Sequence, residues 1–294
     1  MSDLLTEEFE RHRGQLRAVG YRMLGSLSEA DDAVQEAWLR LNRTDAAAIH
    51  NLGGWLTTVT ARVCLDMLRS RTSRREEPLD THVPDPVVTG VEGADPEQQA
   101  LLADSVGMAL LVVLDTLAPA ERLAFVLHDM FAVPFDDIAP IVDRTPAAAR
   151  QLASRARRRV QGVDLDPETD VSRQREVVDA FVSASRGGDF EALLAVLDPD
   201  VVLRADVGAA LVGVSHEIRG AAKVAGQALL FRGGSVAEAL DSRTVLVNGT
   251  VGRLNRLDGK AVSLLAFTVR GGRITRIDIL GDPDRLATLD LPPV

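Results

Sequence analysis

The chain of 294 residues carries a formal net charge of −10 and contains a single cysteine, Cys64. Its length predicts two or three domains of roughly 100 residues each, and one cysteine excludes an internal disulfide framework and a thiolate zinc site. The five histidines lack ligand-like spacing, so we expect no metal and no cofactor. No apolar run approaches the roughly 18 residues that cross a bilayer, and the N-terminus is charged. We therefore expect a cytoplasmic protein without a membrane segment.

The first predicted elements are helices. In SEADDAVQEAWLRL the apolar residues recur at spacings of three and four, and Ser28 with Asp31 predicts an N-terminal capping box. This helix also presents an acidic and polar face, which suits either a basic partner helix or solvent. The residues of that face are Asp31, Asp32, Gln35 and Glu36.

A third helix, WLTTVTARVCLDMLRSR, has a strongly basic far end. From Glu76 to Asp104 the composition changes: Pro and Gly recur, and eight acids appear without any Lys or Arg. This stretch predicts a mobile linker.

Two short helices separated by a VDRT turn follow in VPFDDIAPIVDRTPAAARQLASRARRRV, which is the shape of a helix-turn-helix. Thr145 suits the N-cap of the second helix and Pro146 its first residue. Side chains in the early turns of this helix could contact base edges, and the later arginines could contact phosphates. The alternative is a basic face that is exposed to solvent. The candidate DNA-binding residues are Thr145, Ala148, Arg150, Gln151, Ser154, Arg155 and Arg158.

Beyond Val163 the pattern predicts two helices joined at Gly187-Gly188 and then several strands. Turn signals lie at Asn248-Gly249, Asp258-Gly259 and Gly271-Gly272. Helices followed by antiparallel hairpins indicate an α+β domain.

From about Glu7 to Gln161 the chain resembles the extracytoplasmic-function class of bacterial sigma factors. SEADDAVQEAWLRL is similar to their polymerase-clamp-binding helix, the third helix to their promoter-melting region, and the helix-turn-helix to the domain that recognises the minus-35 element. Capture of a melted strand needs cations and pockets for unstacked bases. The candidates for this role are Trp55, which matches the family tryptophan but fits the core equally well, and Arg62, Arg69, Arg71, Arg74 and Arg75. The linkers of this class follow the RNA-exit path of the polymerase.

The C-terminal part resembles the SnoaL-like branch of the nuclear-transport-factor-2-like fold, a helix-packed curved sheet around a conical pocket. Sigma factors with such a fused domain form a subgroup. The LDGKA and DPDRL segments are similar to C-terminal motifs of this subgroup. Pocket enzymes of this fold use Asp and His, so Asp206, His216 and Asp278 are candidates for acid-base chemistry. The full set of pocket or interdomain candidates is Asp206, His216, Asp258, Lys260, Asp282 and Arg285.

We therefore expect a multidomain protein with two all-α sigma domains followed by an α+β domain with a curved, antiparallel-rich sheet. The expected boundaries are 1–75 (sigma region 2), 76–100 (acidic linker), 101–162 (sigma region 4) and 163–294 (SnoaL-like domain). The resemblance implies a non-catalytic sigma factor that binds the clamp coiled coil and flap of core RNA polymerase and promoter DNA. It also implies regulation in cis, through contact between the C-terminal domain and the sigma domains. Whether a small ligand binds the pocket is left open by the sequence. The alternatives are a stand-alone helix-turn-helix regulator with a ligand-binding domain and a cyclase or hydrolase.

Overall fold

A computed structural model describes residues 2–45, 49–74, 83–91, 107–160, 170–208, 217–230 and 240–293. The chain forms two compact units. The first comprises Met1–Pro78 and Leu110–Val163, and the second comprises Leu79–Ala109 and Asp164–Val294. None of the described helices is both long and apolar enough to cross a lipid bilayer.

The first unit is helical. A π-helical turn, Val126–Met130, directly follows the fifth helix. The helices are α1 (Ser2–Leu24), α2 (Leu27–Leu41), α3 (Leu52–Arg74), α4 (Met108–Asp115), α5 (Pro119–Phe125), α6 (Phe135–Ile138) and α7 (Pro146–Val160).

The apolar stripe that the sequence predicts for α2 faces the core, since Val34, Ala37 and Leu41 are all buried. The predicted start of this helix is wrong by two residues. Gly25 adopts a φ of +71° and ends α1, so the chain reverses at once and Ser26, not Ser28, occupies the N-cap position of α2.

The second unit packs helices against a seven-stranded sheet of order β1-β4-β5-β6-β7-β2-β3. Among the strands that the structure describes, only β2 and β7 pair in parallel, and the other neighbours are antiparallel. The strands are β1 (Val88–Gly90), β2 (Leu197–Asp206), β3 (Glu217–Arg219), β4 (Asp241–Val247), β5 (Thr250–Leu257), β6 (Lys260–Arg270) and β7 (Arg273–Leu280). The helices are α8 (Val171–Gly187), α9 (Phe190–Val196), α10 (Ala221–Leu230) and α11 (Pro283–Thr288).

The predicted hairpins are confirmed. Asn248-Gly249, Asp258-Gly259 and Gly271-Gly272 all have positive φ at both residues, as the favoured two-residue hairpin turns require. An apolar cluster that includes Phe181, Leu193 and Phe267 fills the space between the helices and the sheet. This arrangement confirms the α+β expectation of a helix-packed, antiparallel-rich sheet.

One part of the predicted mobile linker is an edge strand. Residues Val88–Gly90 form β1, which pairs antiparallel with β4, so that Val88 lies opposite Val247. Val83, Val87 and Val88 are buried, and this apolar burial favours docking over a solvated chain. Segments 75–82 and 92–106 of the region lie outside the described residues.

Candidate nucleic-acid interface and docked joining segment

Helix α7 presents the predicted DNA-binding residues on one exposed side. Thr145 caps it as predicted, because its Oγ1 accepts a hydrogen bond from Ala148 N at 3.3 Å. A buried stripe of Ala149, Ala153, Ala156 and Val160 packs inward. The opposite side is exposed at Arg150, Gln151, Ser154, Arg155 and Arg158, while Ala148 is half-buried. The helix therefore presents a basic, polar stripe to solvent.

The arginines of α7 have different surroundings. Arg157 pairs with Asp129 at 2.6 Å and Arg159 with Glu121 at 3.1 Å. For Arg155 and Arg158, no carboxylate of the described residues lies within 4.0 Å. The charge of these two arginines is therefore not neutralised by such a pair.

Phe135, at the start of α6, contacts a side chain of the preceding π-helical turn and one of α7. The His128 ring stacks on it with a centroid distance of 3.8 Å, and the Arg150 guanidinium carbon lies 5.3 Å from its centroid. The latter is a cation–π contact. His128 and Phe135 were not predicted as site residues, because neither follows a local motif; only the fold brings Phe135 to Arg150 and His128 to Phe135.

The acidic face of α2 is partly used inside the protein. Asp31 pairs with Arg17 of α1 at 2.8 Å, and Glu36 pairs with Arg40 one turn later at 2.9 Å. Asp32 and Gln35 are exposed. Of the four predicted polymerase-binding residues, these two are the ones most available to a partner.

The predicted strand-capturing residues of α3 do not form one continuous surface. Arg62 and Arg69 are exposed and lie two turns apart on one side of the helix. Arg71 instead donates to the carbonyl oxygen of Leu24 at 3.0 Å and pairs with Glu29. Trp55 is half-buried and packs on the core of the N-terminal helices. The side chain of Arg74, and all of Arg75, lie outside the described residues.

A buried arginine joins the helix-turn-helix region to the N-terminal helices within the first unit. Arg122 of α5 is 1% exposed; its Nε donates to the carbonyl oxygen of Arg22 at 3.0 Å and its Nη1 to Asp115 Oδ1 at 3.0 Å. Burial lowers the pKa of Arg122, and Asp115 opposes that shift. Arg22 in turn lies 4.7 Å from the Phe131 ring centroid. The two sigma-like regions are therefore packed together.

In the second unit, three of the candidate residues hold the segment that joins the two sigma-like regions. Arg285 donates to Asp206 Oδ2 and to the carbonyl oxygen of Val83, both at 2.5 Å, and it also pairs with Asp85. Asp206 accepts from Val83 N at 3.1 Å. Asp282 caps α11 by accepting from Asp284 N and Arg285 N, which positions Arg285. We call Arg285, Asp206 and Asp85 the clasp.

Asn248 adds a second attachment. Its Oδ1 accepts from Val87 N at 2.9 Å, and its own N donates to Val87 O at 2.8 Å. The candidates Asp258 and Lys260 lie instead in the β5–β6 hairpin, and His216 lies outside the described residues. The sequence does not predict these roles of Asp85 and Asn248, since their partners are far away along the chain.

The chain is similar to known proteins over almost its whole length. The family models for Sigma-70 region 2 and Sigma-70, region 4 match residues 9–74 and 107–160. It is 38% identical to the ECF RNA polymerase sigma factor SigJ of Mycobacterium tuberculosis, over 95% of this chain and 92% of SigJ. It is 35% identical to the probable ECF RNA polymerase sigma factor SigI of the same species, over 98% and 96% of the two chains. The crystal structure of SigJ superposes with a TM-score of 0.77, at 37% identity, over 98% of this chain and 100% of that one.

Proposed function

The chain belongs to the extracytoplasmic-function family of RNA polymerase sigma factors, and we propose that its C-terminal unit inhibits promoter recognition in cis by holding the segment that joins the two sigma regions. As a sigma factor, the chain directs RNA polymerase to promoters and starts transcription. The clasp and the β1–β4 pairing are the observations that support the regulatory proposal.

In this proposal each helical surface has one task. Helix α7 binds the minus-35 element, with Arg150 and Gln151 at base edges and Arg155 and Arg158 at phosphates. The exposed Arg62 and Arg69 of α3 follow the melted strand. Asp32 and Gln35 of α2 contact the clamp of core polymerase. The protein acts in the cytoplasm, where RNA polymerase works.

The packed first unit must open before both promoter elements can be bound. The minus-35 and minus-10 elements lie about 25 base pairs apart, which is about 85 Å of duplex at 3.4 Å per base pair. A compact unit of this size has a radius of gyration of only about 14 Å. The Arg122–Arg22 contact must therefore break when the two regions bind one promoter.

The docked joining segment must also be released. The linkers of this family follow the RNA-exit path of the polymerase, and the corresponding segment here is hydrogen-bonded into a seven-stranded sheet. A strand with a sheet attached cannot enter a channel that accommodates a single chain. Docking therefore competes with assembly on the polymerase, and the clasp favours the inactive state.

We assign no catalytic role to the C-terminal unit. Two of the acid-base candidates are already engaged: Asp206 in the clasp, and Asp278 with Arg276 Nε at 2.8 Å. Asp278 is also only 2% exposed, so it has little access to a substrate.

Promoter-dependent transcription with core polymerase tests the proposal. Arg285→Ala, and independently Asp85→Asn in the joining segment, should raise transcript yield on the order of tenfold, because each removes charge-assisted hydrogen bonds of the docked state. Arg273→Ala, which removes an exposed arginine at the start of β7, is the matched control and should leave the yield unchanged. Unchanged or lower transcription in both clasp variants, with wild-type thermal unfolding, would contradict cis inhibition.

The stand-alone regulator is distinguished by its requirement for polymerase. A sigma factor forms promoter complexes with core polymerase, whereas a stand-alone regulator shifts the same duplex without it. Failure of the folded chain to bind core polymerase would remove the proposal.

A further inference from the structure

The second unit carries a basic groove that the sigma function does not use. The groove is formed by α8 and strands β4 and β5; it is wide open to solvent, with a volume of about 700 Å³. Its polar lining residues are Arg175, Asp179, Ser183, Arg186, Thr244 and Arg253.

The groove has an excess of positive charge at close range. Asp179 accepts from Arg253 Nη2 at 2.6 Å through Oδ1, and its Oδ2 lies 3.9 Å from Arg175 Nε. Arg186 follows on the same helix and is exposed. Three guanidinium groups and one carboxylate leave a net charge of +2.

Arg253 is the least exposed charged residue of this cluster. Its side chain is 14% exposed, and its Nε is buried without a hydrogen-bond partner among the described residues. Burial lowers its pKa; Asp179 raises it, and the neighbouring Arg186 and Arg175 lower it further. Such crowding of like charges is unfavourable and would be relieved by an anion in the groove.

We propose that this groove binds a phosphoryl group. A phosphate monoester carries a charge of about −1.5 to −2 at pH 7, close to the excess charge of the groove. Arginine forks match its oxygens in a bidentate manner, and Ser183 and Thr244 add hydroxyl donors. The lining contains no aromatic side chain, so the groove recognises the phosphoryl group and not a stacked base. The phosphoryl group belongs either to a free phosphorylated molecule or to the DNA backbone.

Calorimetric titration of the full chain with inorganic pyrophosphate at low ionic strength tests this site. Arg186→Gln removes one exposed groove cation and should weaken binding about tenfold or more, the loss expected for one charge-assisted contact. Arg273→Gln removes one exposed arginine outside the groove lining and is the matched control. It should bind pyrophosphate as the wild type does.

The test depends on the difference in pyrophosphate affinity between the Arg186→Gln and Arg273→Gln variants. Absence of wild-type binding, or equal affinities in the two variants, would overturn the proposal, since the second result indicates only a general effect of charge. The source of the phosphoryl group is tested by repeating the titration of the free chain in the presence of excess duplex DNA. Competition by the duplex assigns the groove to the DNA backbone, and undiminished binding assigns it to a free phosphorylated molecule. The site does not rest on the inhibitory role of the clasp, because its readout is binding and not transcription.

Discussion

Arg122 Nε donates a hydrogen bond to the backbone carbonyl oxygen of Arg22 at 3.0 Å, and this contact joins the helix-turn-helix region to the N-terminal helices. The same guanidinium pairs with Asp115 and is fully buried. Removal of one partner of a buried ion pair leaves the other charge uncompensated, which costs about 3–5 kcal/mol.

We therefore expect Arg122→Ala to lower the free energy of unfolding of the first unit by about this amount. Urea denaturation followed by tryptophan fluorescence measures it, because both tryptophans, Trp38 and Trp55, lie in the N-terminal helices. The double variant Arg122→Met/Asp115→Leu should recover much of the loss, since it removes both charges. A loss below about 1 kcal/mol in Arg122→Ala would mean that the pair is not buried in solution.

The single cysteine should be chemically silent in the native protein. Burial raises the pKa of the Cys64 thiol to about 12, so almost no thiolate forms at pH 8. We expect a disulfide reagent such as DTNB to label the native chain slowly and the urea-unfolded chain at once. Rapid labelling of the native chain would contradict the packing of α3.

Arg150 should contribute to base selectivity. Substitution by Ala is expected to cost about 1–3 kcal/mol of promoter binding and to relax preference at one minus-35 position. The measurement is holoenzyme affinity for a set of duplexes substituted one base at a time. A loss equal on all duplexes would place Arg150 at a phosphate instead.

Arg158 should contribute to affinity without selectivity. Arg158→Ala is expected to weaken holoenzyme binding to every duplex and to reduce the slope of log affinity against log salt by about one. Arg157→Ala is the neighbouring control, because Arg157 is already paired with Asp129 and should change the slope less. Identical slopes in the wild type and Arg158→Ala would remove Arg158 from the phosphate-binding set.

Features that depend on local sequence could be predicted. The cap at Thr145, the buried stripe of α2 and the hairpin turns at Asn248 and Asp258 follow from spacing and turn chemistry within a few residues. The structure bears out each of them. The exposed stripe of α7 could also be predicted, because a helix that begins after Thr145 places known positions on the same side.

Features that depend on distant partners could not. Strand β1 has only three residues, too few for a periodic pattern, and its pairing of Val88 with Val247 joins distant parts of the chain. The acidic composition of the surrounding region also predicts a solvated segment, so the burial of its valines was not expected from the sequence. Similarly, Arg71 has the appearance of a DNA-binding cation in the sequence, and only the packing of α3 brings it to the Leu24 carbonyl and Glu29.

If the C-terminal unit inhibits in cis, the joining segment leaves the sheet when the sigma factor assembles on polymerase. Hydrogen exchange of peptides that cover residues 83–91 tests it most directly, in the free chain and in the holoenzyme. The β1–β4 pairing of Val88–Gly90 and the hydrogen bonds of Val83 N and Val87 N should protect amides of this segment in the free chain. Peptides from Lys260–Arg270 of the sheet interior serve as the control and should stay protected in both states. We predict that exchange in residues 83–91 accelerates about tenfold or more on holoenzyme formation; unchanged protection in a transcribing holoenzyme would contradict the account.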